Sequence, residues 1–159
     1  MERLNPKAVW VFFARFVFAG IPFFVFFALF LIRSGFAFRI GWLIIVGAAY
    51  LLLCFGWANL TYRFWRYQMA EKAFKKEHGV IWKKYVSIPY GRIQNVDIRR
   101  GVIERLLGLS SLQIQTAGYS FGGKKGIRAE GYLPGLSREK AEEIRESLVN
   151  RVREENPGL

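Results

Sequence analysis

The feature that most constrains this chain is a run of 21 residues without a charge, from Ile40 to Leu60. An α-helix rises ~1.5 Å per residue, so a helix of this length matches the ~30 Å hydrocarbon core of a bilayer. Trp42 and Trp57 lie near the two ends of the run, where amphipathic rings favour the membrane interface. The alternative, a buried core helix, would need more surrounding protein than 159 residues provide. The run therefore predicts a membrane-spanning helix.

A second uncharged run precedes it, from Phe16 to Ile32. Extended back across Arg15, whose long side chain can reach the headgroups, this run is also long enough to span. Pro22 predicts a kink, which membrane helices tolerate. The alternative is a secretory signal peptide cleaved near Gly35-Phe36-Ala37. The run is longer than the usual apolar region of ~7–15 residues, and another span follows closely, so a second span is favoured.

Together the two runs predict a helical hairpin, with spans at about residues 12–32 and 40–60 in an anchor of residues 1–61. Lys and Arg decide its orientation. Eight of them flank the hairpin on the side of its termini, whereas the connection carries Arg33 and Arg39. We therefore expect a multi-pass protein of the cell membrane with both termini in the cytoplasm. The single cysteine, Cys54, lies inside the second span and reads as a small apolar filler.

The rest of the chain predicts a small soluble domain at residues 62–155, followed by a tail at 156–159. Alternation of apolar and polar residues indicates five or more short strands. The alternating segments are Trp65–Met69, Tyr85–Ile88, Val96–Arg99, Leu112–Gln115 and Ile127–Leu133. Ile93 is out of phase with Val96, which predicts a bulge at Gln94-Asn95. Short strands of this kind are typical of an antiparallel barrel or bent sheet.

Two helical segments accompany the strands. Residues 102–108 predict one or two helical turns closed by Gly108 in the left-handed conformation. The chain ends with an amphipathic pattern, in which Ser137 can cap a helix. The apolar stripe of this helix consists of Ala141, Ile144, Leu148 and Val152. The predicted fold class is therefore a membrane protein of the α+β type, with a two-helix hairpin, an antiparallel β roll or barrel and a C-terminal capping helix.

Two segments resemble the bacterial pleckstrin-homology-like, membrane-flanked domain, in particular its small members with two membrane helices. They are Ile88–Val96 and Arg100–Gly118, within which the family-type residues are Pro89, Arg92, Ile93, Gln94, Arg105, Leu107 and Gly108. The resemblance implies a roll of two bent sheets capped by a C-terminal helix. It implies no known catalytic residues, and some members are linked to membrane stress.

Catalytic and metal chemistry have little support in the composition. The chain has one His, His78, and one Asp, Asp97, so a Ser-His-Asp, Cys-His or zinc site cannot be assembled convincingly. We expect no enzymatic activity and no cofactor. The segment from Gly118 to Lys124 and Lys125 approaches a P-loop, but Lys125 replaces the Ser or Thr that would bind Mg²⁺. A hairpin loop with a basic tip, at most a weak anion site, is the favoured interpretation.

The strongest functional signal is positive charge next to the second span. The chain carries a formal net charge of +12, and a basic chain favours a polyanionic partner. The candidate contacts with anionic lipid are Arg63, Arg66, Lys72, Lys75, Lys76, Lys83 and Lys84. They could equally serve only topology and solvation. No nucleic-acid-binding motif is recognisable, so the bilayer is the expected partner, together with a protein partner or further copies of the chain. The main alternative is a structural or assembly subunit of a larger membrane complex.

Overall fold

The computed structural model describes residues 1–33, 40–116 and 131–155. Its two longest elements are the helices α1 (Ala8–Arg33) and α2 (Ile40–Arg63), which pack against each other. Both are long and apolar enough to cross a membrane, and 6% and 11% of their apolar stretches are buried. The core-helix alternative is wrong, because a core helix would be covered by protein. The cleavage site of the signal-peptide alternative, at residues 35–37, lies outside the described residues.

Close packing joins the two helices near their middle. The Tyr50 hydroxyl donates hydrogen bonds to the carbonyl oxygens of Phe16 and Val17, at 3.0 and 3.1 Å. The Tyr50 ring fills the space that Gly20 leaves open, since any side chain at residue 20 would collide with it. In lipid, small residues of this kind let helix backbones approach each other. The hairpin is therefore held by specific contacts as well as by its short connection.

Two antiparallel sheets follow the hairpin. The first has the order β1-β2-β3-β4, and the second has the order β5-β6-β7. In the first sheet the strands are β1 (Glu2–Arg3), β2 (Arg66–Met69), β3 (Ala73–His78) and β4 (Lys84–Pro89). In the second they are β5 (Ile93–Arg99), β6 (Leu109–Thr116) and β7 (Gly131–Ser137). The register shifts between Ile93 and Asn95, which confirms the predicted bulge.

Two further helices complete the domain. The short helix α3 (Val102–Leu106) precedes Gly108, which has φ +69° as predicted. The C-terminal helix α4 (Arg138–Glu155) is capped by Ser137, whose Oγ accepts a hydrogen bond from the Lys140 amide at 3.2 Å. The predicted stripe of α4 packs into the core and covers both β5 and β6. The predicted α+β class, with a hairpin, antiparallel sheets and a capping helix, is confirmed.

The sequence pattern missed two strands and misplaced the end of a third. The strand β3 shows no alternation of apolar and polar residues. Phe74 is its one large apolar residue, and the next three residues are all charged. The strand β1 is two residues long and pairs with β2 across the whole hairpin. The last strand was expected to end at Leu133 but continues to Ser137. It tolerates Pro134 because it lies at the edge of its sheet.

The segment before α1 and the first turns of α1 belong to the core of the β-sheet domain. Leu4, Ala8 and Phe12 are buried in the same cluster as Tyr67 and Leu136. Three contacts secure this segment: the Asn5 amide donates to the Gly135 carbonyl at 3.2 Å, the Tyr62 hydroxyl to the Leu4 carbonyl at 3.3 Å, and the Tyr67 hydroxyl to Glu2 at 2.9 Å. The core thus crosses the expected boundary at residues 61 and 62. The division into anchor, domain and tail stays a prediction, and residues 156–159 lie outside the described part.

We predict that Gly135→Ala destabilises the protein much more than Gly108→Ala. Both glycines have positive φ, +65° and +69°, so alanine carries a backbone cost of about 1–2 kcal/mol at each. At residue 135 a Cβ would also collide with Ala8, whereas at residue 108 nothing lies within 4 Å. Overpacking there should add about 1–3 kcal/mol. Thermal unfolding in detergent measures both variants, and equal losses would contradict the close approach of β7 to α1.

Candidate functional site

The strand directions divide the domain into two ends. β2 leaves α2, and β3 returns antiparallel to it, so Glu77 pairs with Arg66 and the β3–β4 connection lies beside the end of α2. The helix α3, which connects β5 and β6 of the second sheet, lies against α1 and so belongs to the same end. We define the helix-side end as residues 4–8, 63–66, 77–85 and 99–109, and the far end as residues 69–73 and 89–93.

Hydrogen bonds confirm that both sheets share this polarity. At the far end, the Tyr90 hydroxyl donates to the Ala70 carbonyl at 2.6 Å, and Arg151 near the end of α4 donates to the same carbonyl at 2.9 Å. The Arg151 guanidinium also lies over the Tyr90 ring, 5.3 Å from its centre. The beginning of α4, by contrast, lies near the N-terminal segment, where Lys140 approaches Glu2 at 3.6 Å.

The structure separates six of the seven residues of the predicted basic cluster into three groups, and it buries the seventh, Lys76. Arg63, Arg66, Lys83 and Lys84 are exposed at the helix-side end. Lys75 is exposed on the outer face of the first sheet, where it pairs with Gln68 and Ser87. Lys72 is exposed at the far end, about four strand residues, or roughly 13 Å, beyond Arg66. That distance exceeds the ~10 Å over which salt screens exposed charges, so Lys72 is poorly placed for a surface next to α2.

Lys76 requires a correction, because its side chain is 6% exposed. It shares the inward face of β3 with Phe74, whereas Lys75 and Glu77 point outward, as the twofold period of a strand requires. A side chain buried this far has no surface to offer a lipid headgroup. Recognising β3 as a strand would have placed Lys76 on the same face as Phe74 and His78, and Lys75 and Glu77 on the opposite face.

Four further cations at the helix-side end were missed. They are Lys7 before α1 and Arg99, Arg100 and Arg105 around α3, all exposed. They lie outside the cluster in the sequence, and the packing of both sheets and α1 around one core brings them to the same end. The defined ranges then hold eight Lys and Arg against Glu77 and Glu104. Glu104 is buried and accepts hydrogen bonds from the Gly101 amide and the Ser111 hydroxyl, so it contributes little negative charge to the surface.

Lys83 connects the β3–β4 connection to the end of α2. Its ammonium lies 3.8 Å from the Glu77 carboxylate and 5.8 Å from the centre of the Phe64 ring. One residue further, the Trp65 ring packs against His78 with centroids 4.8 Å apart. Phe12 of α1 packs on Trp65 in turn, at 5.8 Å. These contacts hold the connection at the level of the helix ends.

The family-type residues have mainly structural positions. Ile93 is buried in the core, and Gly108 provides the left-handed turn after α3. Pro89 ends β4 before a short 3₁₀ turn at Tyr90–Arg92, and Gln94 lies at the bulge. Arg105 is exposed and Leu107 half-buried beside α3. Of these residues, Arg105 alone lies exposed among the cations of the helix-side end.

Three other features bear on binding or catalysis: a metal site, the predicted anion loop and a charged cleft. Within the described residues, no three His, Cys, Asp or Glu side chains come together as a metal site would require. Lys124 and Lys125 lie outside the described residues. A cleft of about 380 Å³ opens between β5, β6 and α4, and its charged lining consists of Arg100, Arg138, Arg145, Glu142 and Glu146. Its mixed charges suit a polar or charged partner surface better than an apolar ligand.

Comparisons with known proteins identify the family of the chain. The bacterial PH domain family matches residues 16–152, and the chain belongs to this family. The chain is also similar to the transmembrane protein YdbT of Bacillus subtilis (strain 168), with 30% identity over 154 residues, or 94% of this chain. The match covers 29% of YdbT, so the chain spans less than a third of that relative. No solved structure matches the chain significantly.

We predict that His78 makes the stability of the protein depend on pH below neutrality. Burial, and then the nearby Lys76 and Lys84 charges, lower the pKa of His78. Because the unfolded chain takes up this proton near pH ~6.5, before the folded protein does, stability is full above that pH and falls as the pH decreases towards the folded pKa.

The test uses His78→Phe, which retains a ring against Trp65 but cannot titrate. His78 is the single histidine in the chain, so the variant removes all histidine titration. The melting temperature in detergent should fall between pH 7 and 5 in the wild type and fall less in the variant. Parallel profiles for the two proteins would show that His78 has an ordinary pKa.

Proposed function

We propose that this chain is a non-enzymatic, membrane-anchored PH-like domain that contacts anionic lipid headgroups at the cytoplasmic face of the cell membrane. The observation that carries the proposal is the concentration of positive charge at the end of the domain from which α1 and α2 emerge. Family membership and the scarcity of His and Asp support a role without catalysis. A part in the membrane stress response is suggested by the family resemblance alone.

Electrostatics explains why position matters more than total charge. A cation near an anionic leaflet contributes about 1 kcal/mol, and the attraction falls off within a Debye length of ~10 Å. Arg63, Lys83 and Lys84 lie at the base of the domain, beside the end of α2. Arg99 precedes α3 and Arg105 lies in its last turn, and α3 packs on α1. The cations therefore surround the helix pair at a level that headgroups reach.

We predict that charge removal at the helix-side end reduces stabilisation by anionic lipid. The variant Lys84→Gln, Arg99→Gln, Arg105→Gln removes three exposed cations there. The full chain in phosphatidylglycerol-containing nanodiscs should melt at a higher temperature than in phosphatidylcholine nanodiscs, and added salt should reduce the difference. The variant, which keeps five of the eight cations at this end, should lose part of the difference, at about 1 kcal/mol per removed cation.

A matched control removes the same charge elsewhere. Lys72→Gln, Lys75→Gln, Arg153→Gln changes three exposed cations away from the helix-side end. This control should keep the wild-type response to phosphatidylglycerol. If both triple variants respond alike, or if salt has no effect in the wild type, the electrostatic proposal is wrong.

The proposed topology places both termini in the cytoplasm, because Lys and Arg are far more numerous on that side of the hairpin than in its connection. In a Cys54→Ala background, a cysteine at Ser34 should react with an impermeant thiol reagent applied to intact cells. A cysteine at Ser87, an exposed position on β4, should react only after the cells are opened. The reverse pattern would place the domain outside the cytoplasm.

The second candidate function is that of a structural or assembly subunit in a larger membrane complex. The charged cleft between β5, β6 and α4 supports it, because it offers a concave surface at the edge of the second sheet. The longer relative supports it as well, because the matching region there is one part of a much longer protein. This alternative is favoured if lipid charge has no effect on stability and a defined protein co-purifies in mild detergent.

A further inference from the structure

Apolar side chains are exposed at one end of the domain. Among the described residues from 66 to 155, five large hydrophobic side chains are exposed: Ile81, Trp82, Tyr85, Val102 and Leu106, at 65–86%. All five lie at the helix-side end, and none at the far end. Exposed hydrophobic residues scattered singly need no explanation, but a grouping of this kind marks an interaction surface.

The first part of the group is the tip of the β3–β4 connection. His78 pairs with Lys84, so residues 79–83 form a short turn at the helix-side end. Gly79 has φ +114°, and the Trp82 carbonyl lies so close to its Cα that no side chain would fit. The backbone of Trp82 therefore folds back on Gly79, while its side chain is 86% exposed. The Lys83 contact with Phe64 holds this tip beside α2.

The second part is one face of α3. Val102 and Leu106 are four residues apart, which places them on the same side of the helix. They are 65% and 82% exposed, whereas Glu104 on the opposite side is buried by its hydrogen bonds. Since α3 packs against α1, this face lies beside the first helix, as the Trp82 tip lies beside the second.

The two helices indicate where the bilayer surface lies. Trp10 and Trp57 are half-exposed near the base of the domain, and tryptophan favours the interface. From Trp10, ~30 Å of helix reaches the neighbourhood of Phe30, which is the end of the apolar stretch of α1. Ala8, two residues before Trp10, is already buried in the domain core. The interface thus lies directly at the base of the domain.

We propose that Ile81 with Trp82, and Val102 with Leu106, insert into the headgroup–acyl boundary of the same bilayer that holds α1 and α2. The cations Lys83, Lys84 and Arg105 next to them remain at the headgroups, as long basic side chains do at membrane surfaces. The domain is then attached at four points and cannot tilt on its helices. The inference rests on the proposed membrane insertion of α1 and α2, but not on any preference for anionic lipid.

The test measures contact between each tip and lipid in the full chain. Single cysteines replace Trp82, Leu106 and, as a far-end control, Lys72 in the Cys54→Ala background, and each carries an environment-sensitive fluorophore. A cysteine at Ile81 serves as a second reporter if the residue 82 variant does not fold. The proteins are placed in phosphatidylcholine nanodiscs at high salt, with and without doxyl-labelled phosphatidylcholine as the quencher.

Probes at residues 82 and 106 should emit at shorter wavelength and lose most of their fluorescence to the doxyl lipid, whereas the Lys72 probe should lose none. Because the lipid is neutral and the salt high, this result can hold even if the triple charge variants show no electrostatic contact. Tips that are not quenched, in a protein whose spans are inserted, would overturn the inference. A second result would also overturn it: probes that are shielded from water, are not quenched by the doxyl lipid and cross-link between copies. A second copy of the chain would then cover the tips.

Discussion

The structure depends on a shared hydrophobic core that joins the helical hairpin to the β-sheet domain. Leu4, Ala8 and Phe12, from the segment before α1 and its first turns, are buried with Tyr67 and Leu136 of the two sheets. A domain attached only through α2 would be free to swivel on one connection. Here the chain enters the core, leaves it as α1 and returns as α2, so the orientation of the domain relative to both helices is determined by packing.

This orientation determines which exposed side chains lie beside the two helices. The end that faces the helices carries exposed cations such as Lys84 and Arg105 and exposed apolar side chains such as Trp82 and Leu106. In water, exposed apolar groups are unfavourable, and like charges close together repel one another. The proposed contact with an anionic, partly apolar interface would relieve both costs. The proposal therefore accounts for both features, although charge and hydrophobic contact can be separated by experiment.

Membership in the bacterial PH domain family explains the fold better than it explains the function. Ile93 fills the core, Gly108 turns the chain after α3, and Pro89 ends a strand. Residues of this kind support the roll structurally. The match likewise covers 29% of the longer YdbT, so it concerns a part of that relative.

The sequence by itself determined both helices, the bulge near Asn95, the turn at Gly108 and the capping helix. Each is a local pattern of charge, period or backbone preference. The sequence did not reveal the strand β3, because the neighbouring lysines Lys75 and Lys76 are identical in sequence and differ only in burial. The pairing of β1 with β2, and the gathering of distant cations at one end, were decided by the tertiary structure. Contacts between residues sixty positions apart follow from sheet pairing and a shared core, which no local pattern encodes.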